Sequence, residues 1–225
     1  MRLTSMNRRL LAAAFAFSLF AGLTAATAQT SAPPNTGNNF KDTSLLKPPA
    51  GARVAIIEFE DLECPACARA FPMVHAAVDH YKIPYIRHDF PLAMHVWSFD
   101  AAVIARYIQD KINPGLAEEY RRSVFAAQTS IASKDDLQNF TQKFFQTHGS
   151  AMPFVVDPTG QLTREVKADF AIGERIGISQ TPTIWVVTAN HWVQITDPTL
   201  LYQTIDAALA ETAPKATAKT VAKHK

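Results

Sequence analysis

The two cysteines of this chain stand three residues apart, in Cys64-Pro65-Ala66-Cys67. The apolar run Val54-Ala55-Ile56-Ile57-Glu58-Phe59 precedes them and reads as a buried strand. Residues 68–81 behind them read as a helix. The fold must therefore pass from strand to helix at a dithiol. That placement favours electron handling over stapling, because so short a closure restricts little unfolded-chain entropy. A zinc site would need two further ligands, and the histidines at 75, 80, 88, 95, 148, 191 and 224 show no paired spacing to supply them.

Pro65 suits the first helical position, where its missing N–H is not needed. Cys64 then lies at the helix N-terminus, where unpaired N–H groups and the helix dipole favour a thiolate. The thiolate is the attacking species in disulfide exchange. Cys67, one turn further in, is less exposed and suits resolution of a mixed disulfide.

The first 28 residues read as a secretory leader. Arg2, Arg8 and Arg9 precede an apolar run from Leu10 to Leu23, and Ala26-Thr27-Ala28 is a small-x-small cleavage signal, placing the cut after Ala28. The alternative is a retained anchor facing the periplasm. Export puts the cysteines where disulfides persist. Losing three arginines takes the net charge from +2 to −1, and four lysines in residues 213–225 leave the body at −5. The basic residues thus concentrate in a leader and a tail, and nothing supports nucleic-acid binding.

Residues 29–50, with Pro33-Pro34 and Pro48-Pro49, read as a linker. Residues 51–212 form one domain, and the Ala-, Lys- and Thr-rich tail at 213–225 has no core pattern. Within the domain, strands are expected at 53–60 and 83–90, and helices at 65–81, 93–109 and 116–127. Pro72 should kink the first helix. Ser133 caps another helix, and one around Leu162, Val166 and Phe170 should stop at Gly173 and Gly177. Strands at 183–188 and 191–196 and a helix after Asp197-Pro198 close the order β-α-β, several helices, β-β-α. This α/β order implies a mixed sheet with a helical insertion.

Four stretches now carry a resemblance. Residues 59–67, ending in the dithiol, look like the strand-to-active-site passage of the thioredoxin superfamily, specifically its secreted DsbA-type thiol–disulfide oxidoreductases. Arg87-His88-Asp89-Phe90-Pro91-Leu92 with His95 resembles the segment that enters the helical insertion, placed here at about 92–160. Gly177-Ile178-Ser179-Gln180-Thr181-Pro182-Thr183 resembles the cis-proline loop, and the β-β-α ending is the fourth match.

The resemblance implies a thioredoxin fold, a central mixed sheet flanked by helices with an all-helical insertion between its β-α-β and β-β-α halves. It implies a redox disulfide, Cys64 with Cys67, facing Pro182 across the site. Thr181 would lend backbone groups to bound peptide. Glu58 matches the position of a buried acid, and burial would raise its pKa so that it could exchange a proton with Cys67. Glu58, Cys64, Cys67 and Pro182 are the catalytic candidates. Thr181 and Pro182 are the substrate-binding candidates.

His95 and Trp97 are read as packing or helix-start residues. Met94, Trp97, Trp185 and Trp192 are read as core more readily than as an apolar docking edge. The chain departs from the strongest oxidants of this type in carrying Ala66 where they have a histidine and Thr181 where they usually have valine. Glu60, Asp61 and Glu63 also place negative charge near the dithiol, which opposes a thiolate.

The resulting expectation is an exported oxidoreductase with no metal or organic cofactor, acting as a monomer on unfolded or reduced secreted proteins. A membrane redox partner would reoxidise it. The rivals are a periplasmic reductase or isomerase, and a peptide-binding chaperone with incidental cysteines. Isomerases of this superfamily generally add a dimerisation domain, for which residues 29–50 are too short.

Overall fold

The structure is a computed structural model that describes residues 31–32 and 40–214. The leader at 1–28 and nearly all of the tail lie outside the described residues. Among those described, no helix is long and apolar enough to cross a membrane.

Five strands form one sheet in the order β1-β5-β4-β2-β3. They are β1 (Ser31–Ala32), β2 (Val54–Glu60), β3 (Tyr85–Asp89), β4 (Thr183–Thr188) and β5 (Trp192–Gln194). The central strand β2 is buried along its whole length, which explains its near-continuous apolar sequence. It pairs parallel with β3 and antiparallel with β4, placing Phe59 opposite Thr183.

The sheet is covered on both faces. One face carries α1 (Pro65–Tyr81) and α6 (Leu201–Glu211), whose Ala70, Val74, Leu201 and Ile205 pack on Val54, Ile56, Ile184 and Val186. The other carries α5 (Gln161–Ile176), whose Phe170 and Ile176 meet Ile57, Phe59, Trp185 and Val187.

Between β3 and α5 run α2 (Ser98–Lys111), α3 (Pro114–Ala127) and α4 (Lys134–Thr147). Their core joins Ile104, Ile108, Tyr120, Val124, Leu137 and Phe144 to Cys67 and Phe71 of α1. The helical insertion is thus packed directly against the dithiol helix. This is the mixed sheet with flanking helices that the resemblance implies.

Local sequence explains most of the boundaries. Asn113 caps α3 by accepting from Leu116 N–H, ahead of Pro114. Ser133 caps α4 by accepting from Asp136 N–H. Asp197 caps a short 3-10 turn, Pro198–Leu200, that leads into α6. Pro72 lies inside α1, where it has no N–H to donate back along the helix.

Three readings change. Residues 40–50 are part of the domain and not a free linker: Leu46 is fully buried, and the Phe40 ring meets Trp185 at 5.2 Å and Trp192 at 5.6 Å. Two apolar anchors outweigh the surrounding proline-rich composition. Gly173 does not stop α5, which runs to Ile176 and ends at Gly177 with φ of 95°. Gly173 instead admits a close approach, since a Cβ there would come within 2.4 Å of the Phe90 ring. Finally, α2 begins at Ser98 rather than 93, because residues 92–97 are tied to the active-site loop by the carboxylates described next.

Candidate active site

The end of β2 and the start of α1 deliver Cys64 and Cys67 as a dithiol. Cys64 is the N-cap residue, in extended conformation, and Pro65 occupies the first turn. Cys64 is 7% exposed and Cys67 1%, so the outer thiol is the one an attacking group can reach. Asp61 N–H points to Cys67 Sγ at 3.5 Å. Cys64 Sγ lies 3.3 Å from the carbonyl oxygen of Thr181 and donates to it. The Thr181–Pro182 peptide bond is cis. Chain segments 117 residues apart in sequence thus meet at one sulfur.

The two thiols are electrostatically unequal. Cys64 is lowered to about 5, chiefly by donation from the Cys67 thiol, which outweighs the opposing effect of burial. Thr181 and the N–H groups of Cys67 and Ala66 lower it further. The Thr181 hydroxyl is buried and has no hydrogen-bond partner beside the dithiol, so a thiolate at Cys64 is the acceptor open to it. Cys67 is pushed well up, first by burial and then by its donation to Cys64 and the nearby charges of Cys64 and Glu58.

Glu58 is 1% exposed, near the end of β2. Its Oε2 accepts from the Tyr85 hydroxyl at 2.7 Å. Burial, reinforced by Glu60, pushes its pKa up to about 8. Burial thus favours the protonated carboxyl at neutral pH, and its charge, when formed, is felt at Cys67.

The negative crowding expected from Glu60, Asp61 and Glu63 is corrected by their partners. Glu60 Oε1 is paired with Arg121 at 2.8 Å and Arg87 at 3.0 Å. Asp61 accepts from Ser98 Oγ at 2.5 Å and from the N–H groups of Glu63 and Leu92, while its Oδ2 lies 2.6 Å from His95 Nδ1. Glu63 accepts from Trp97 and Ser98 N–H, capping α2. Each charge is spent on holding the helical insertion to the active-site loop.

His95 is thus a clasp residue. Trp97, Trp185 and Trp192 are core, and Met94 alone of the four apolar candidates is exposed, at 79%. Sequence reasoning did not find Tyr85, nor Gln128, whose side-chain amide donates to the carbonyls of Leu62 and Cys64 at 2.7 and 3.1 Å. It also did not find the buried ion cluster in which Arg121 joins Glu60 to Asp89 and Arg106 joins Asp89 to Asp169. Alternation along β2 was the available signal, since Glu58 and Glu60 share a face. Among the described residues, no group of three histidine, cysteine, aspartate or glutamate residues could hold a metal ion.

An asymmetric dithiol at a helix start, beside a cis-proline loop on this sheet, defines a thioredoxin-fold thiol–disulfide oxidoreductase. The chain belongs to the thioredoxin family: a family model described as Thioredoxin matches residues 49–207. No curated protein matches the sequence. Solved structures share the fold. The thiol-disulfide exchange protein alpha-DsbA2 of Wolbachia pipientis is 16% identical with a TM-score of 0.52, covering 72% of this chain and 84% of its own. ScsC of Proteus mirabilis is 16% identical with a TM-score of 0.57, covering 72% and 70%. DsbA2 of Pseudomonas aeruginosa is 20% identical with a TM-score of 0.52, covering 72% and 91%.

Proposed function

We propose that this protein is exported to the periplasm, its leader cut after Ala28, and introduces disulfides into reduced secreted proteins. The observation that carries the oxidising direction is the outer thiol held at about 5 beside an inner thiol raised by burial. Stabilising the Cys64 thiolate stabilises the reduced enzyme, and a stable reduced form makes a good oxidant. The titration range of CxxC cysteines runs from about 3.5 in the strongest oxidant to about 7 in thioredoxin. This protein falls between them.

In the forward reaction a substrate thiolate attacks Cys64 of the Cys64–Cys67 disulfide. The internal S–S bond breaks, a substrate–Cys64 bond forms, and Cys67 leaves with the electron pair, taking up a proton that Glu58 supplies. A second substrate thiolate then attacks the substrate sulfur of the mixed disulfide, and Cys64 departs as a stabilised thiolate. The substrate loses two electrons and the enzyme gains them as its dithiol. A membrane redox partner of disulfide or quinone chemistry returns the enzyme, a monomer, to its oxidised state. Thr181 and Pro182 border the groove in which the substrate chain lies, with Thr181 O already 3.3 Å from the reacting sulfur.

Trapping tests this reading. Cys67→Ser should accumulate mixed disulfides with exported proteins through Cys64, whereas Cys64→Ser should not. A reduction potential near that of thioredoxin, measured against glutathione, would reverse the direction to reductase. Client binding that survives replacement of both cysteines, with no loss of any redox turnover, would make it a chaperone.

A further inference from the structure

Glu58 has one side-chain hydrogen-bond donor among the described residues, the phenol of Tyr85. The register explains the contact. In the parallel β2–β3 pair, Ile56 stands opposite Tyr85 and Glu58 opposite Arg87. Tyr85 and Arg87, two apart, share a face, as do Glu58 and Glu60. The Tyr85 ring reaches along the strand past Ile56 and sets its hydroxyl on Glu58 Oε2.

The cation that register places opposite Glu58 is committed elsewhere. Arg87 grips Glu118 through Nη1 and Nη2 at 2.5 and 2.8 Å, and its Nε lies 3.0 Å from Glu60. Arg121, from α3, is taken by Glu60 and Asp89. His75, from α1, lies 3.1 Å from Arg87 Nη2 and edge-on to the Tyr85 ring. The neutral thiol of Cys67 completes the titratable surroundings from α1, and β4 presents Ile184 opposite Glu58. Arg87 acts on Glu58 only through space, and the side-chain hydrogen bond the carboxyl receives comes from a neutral phenol.

We propose that Tyr85 is a positioning residue for the proton exchange between Glu58 and Cys67: its hydroxyl, 2.7 Å from Oε2, holds and orients the Glu58 carboxyl for that exchange. This rests on the reading that Glu58 exchanges a proton with Cys67. When Cys67 must act as the attacking thiolate, to release a trapped substrate or to be reoxidised, Glu58 has to be ionised to receive its proton. A phenol donates more strongly to a carboxylate than to a carboxylic acid, so it favours the ionised form. A cation in its place would keep Glu58 ionised throughout, and no donor would keep it protonated. Tyr85 sets a middle position.

Tyr85→Phe keeps the ring contacts with His75 and Arg87 and deletes only the donor. Carboxyl ¹³C titration of oxidised protein should show the Glu58 midpoint moving up by roughly one to two pH units. Stopped-flow resolution of a preformed glutathione–Cys64 mixed disulfide by Cys67 should move its pH profile up by the same amount, slowing it roughly ten- to hundredfold at pH 7. Alkylation of Cys64 should not change, and on a Glu58→Gln background Tyr85→Phe should add nothing. An unmoved Glu58 midpoint overturns the role of Tyr85. A midpoint that moves while the resolution profile stays fixed overturns the proposal through its premise, removing Glu58 from the proton exchange. A further slowing on the Glu58→Gln background overturns it as well, since Tyr85 would then act by another route.

Discussion

Replacing Ala66 by histidine should make this enzyme a stronger oxidant by an amount the site geometry bounds. The Cys64 thiolate already receives the Cys67 thiol, two main-chain N–H groups and the influence of Thr181, which together bring it to about 5. Ala66 is partly buried beside it, and an imidazole there adds one donor to the same sulfur. A hydrogen bond to a charged group contributes about 1.5–3 kcal/mol. A thiolate already served by several donors gains less from one more, so the lower end applies. About 1.5 kcal/mol lowers the Cys64 midpoint by about one unit, to roughly 4. At pH 7 the thiolate is fully formed in both proteins, so the whole gain stabilises the dithiol. For a two-electron couple that is a rise of about 30 mV in reduction potential. Ultraviolet absorbance of the thiolate against pH gives the midpoint, and equilibration with glutathione gives the potential. A midpoint that does not fall refutes the view that the Cys64 thiolate can take one more donor at position 66. A midpoint that falls while the potential stays fixed refutes the link between thiolate and oxidising power.

Two further outcomes follow from the charges. The folded-state pKa of Cys64, about 5, is depressed below its unfolded value of 9.0, so its stabilisation is complete above the unfolded value and is lost as pH falls through about 5. At pH 7, two units above the folded midpoint, it amounts to about 3 kcal/mol; thermal melts should show the advantage of reduced over oxidised protein shrinking from pH 7 to pH 4, and a constant difference would contradict the thiolate assignment. Arg121 is 1% exposed between Glu60 and Asp89, so Arg121→Met removes the cation these two buried carboxylates share, leaving Glu60 only Arg87 and Asp89 only Arg106, and should cost up to about 3–5 kcal/mol in urea unfolding at pH 7; a loss below about 1 kcal/mol, the range of an exposed pair, would mean the cluster is not held dry.

The parts of this protein that its sequence determines by itself are those decided within a few residues. The apolar run of β2, the Pro65 start of α1, the caps at Ser133 and Asp197 and the dithiol spacing were all legible, because strand burial, capping and ring closure are short-range. Glu58 was singled out through the resemblance, as the match to a buried acid ahead of the dithiol. What became of its neighbours was not legible. Glu60, Asp61 and Glu63 read as charges opposing a thiolate, yet their partners, Arg121, Ser98 and Trp97, lie 61, 37 and 34 residues away. Gly173 read as a helix stop, and only the Phe90 ring packed against it shows why glycine stands inside α5. Tyr85 gave no signal at all, because its meaning depends on the β2–β3 register and on Glu118 drawing Arg87 away. Charge acts through space and is quenched by whatever the fold brings near, so the dithiol's chemistry was written locally while its electrostatic setting was decided by tertiary packing.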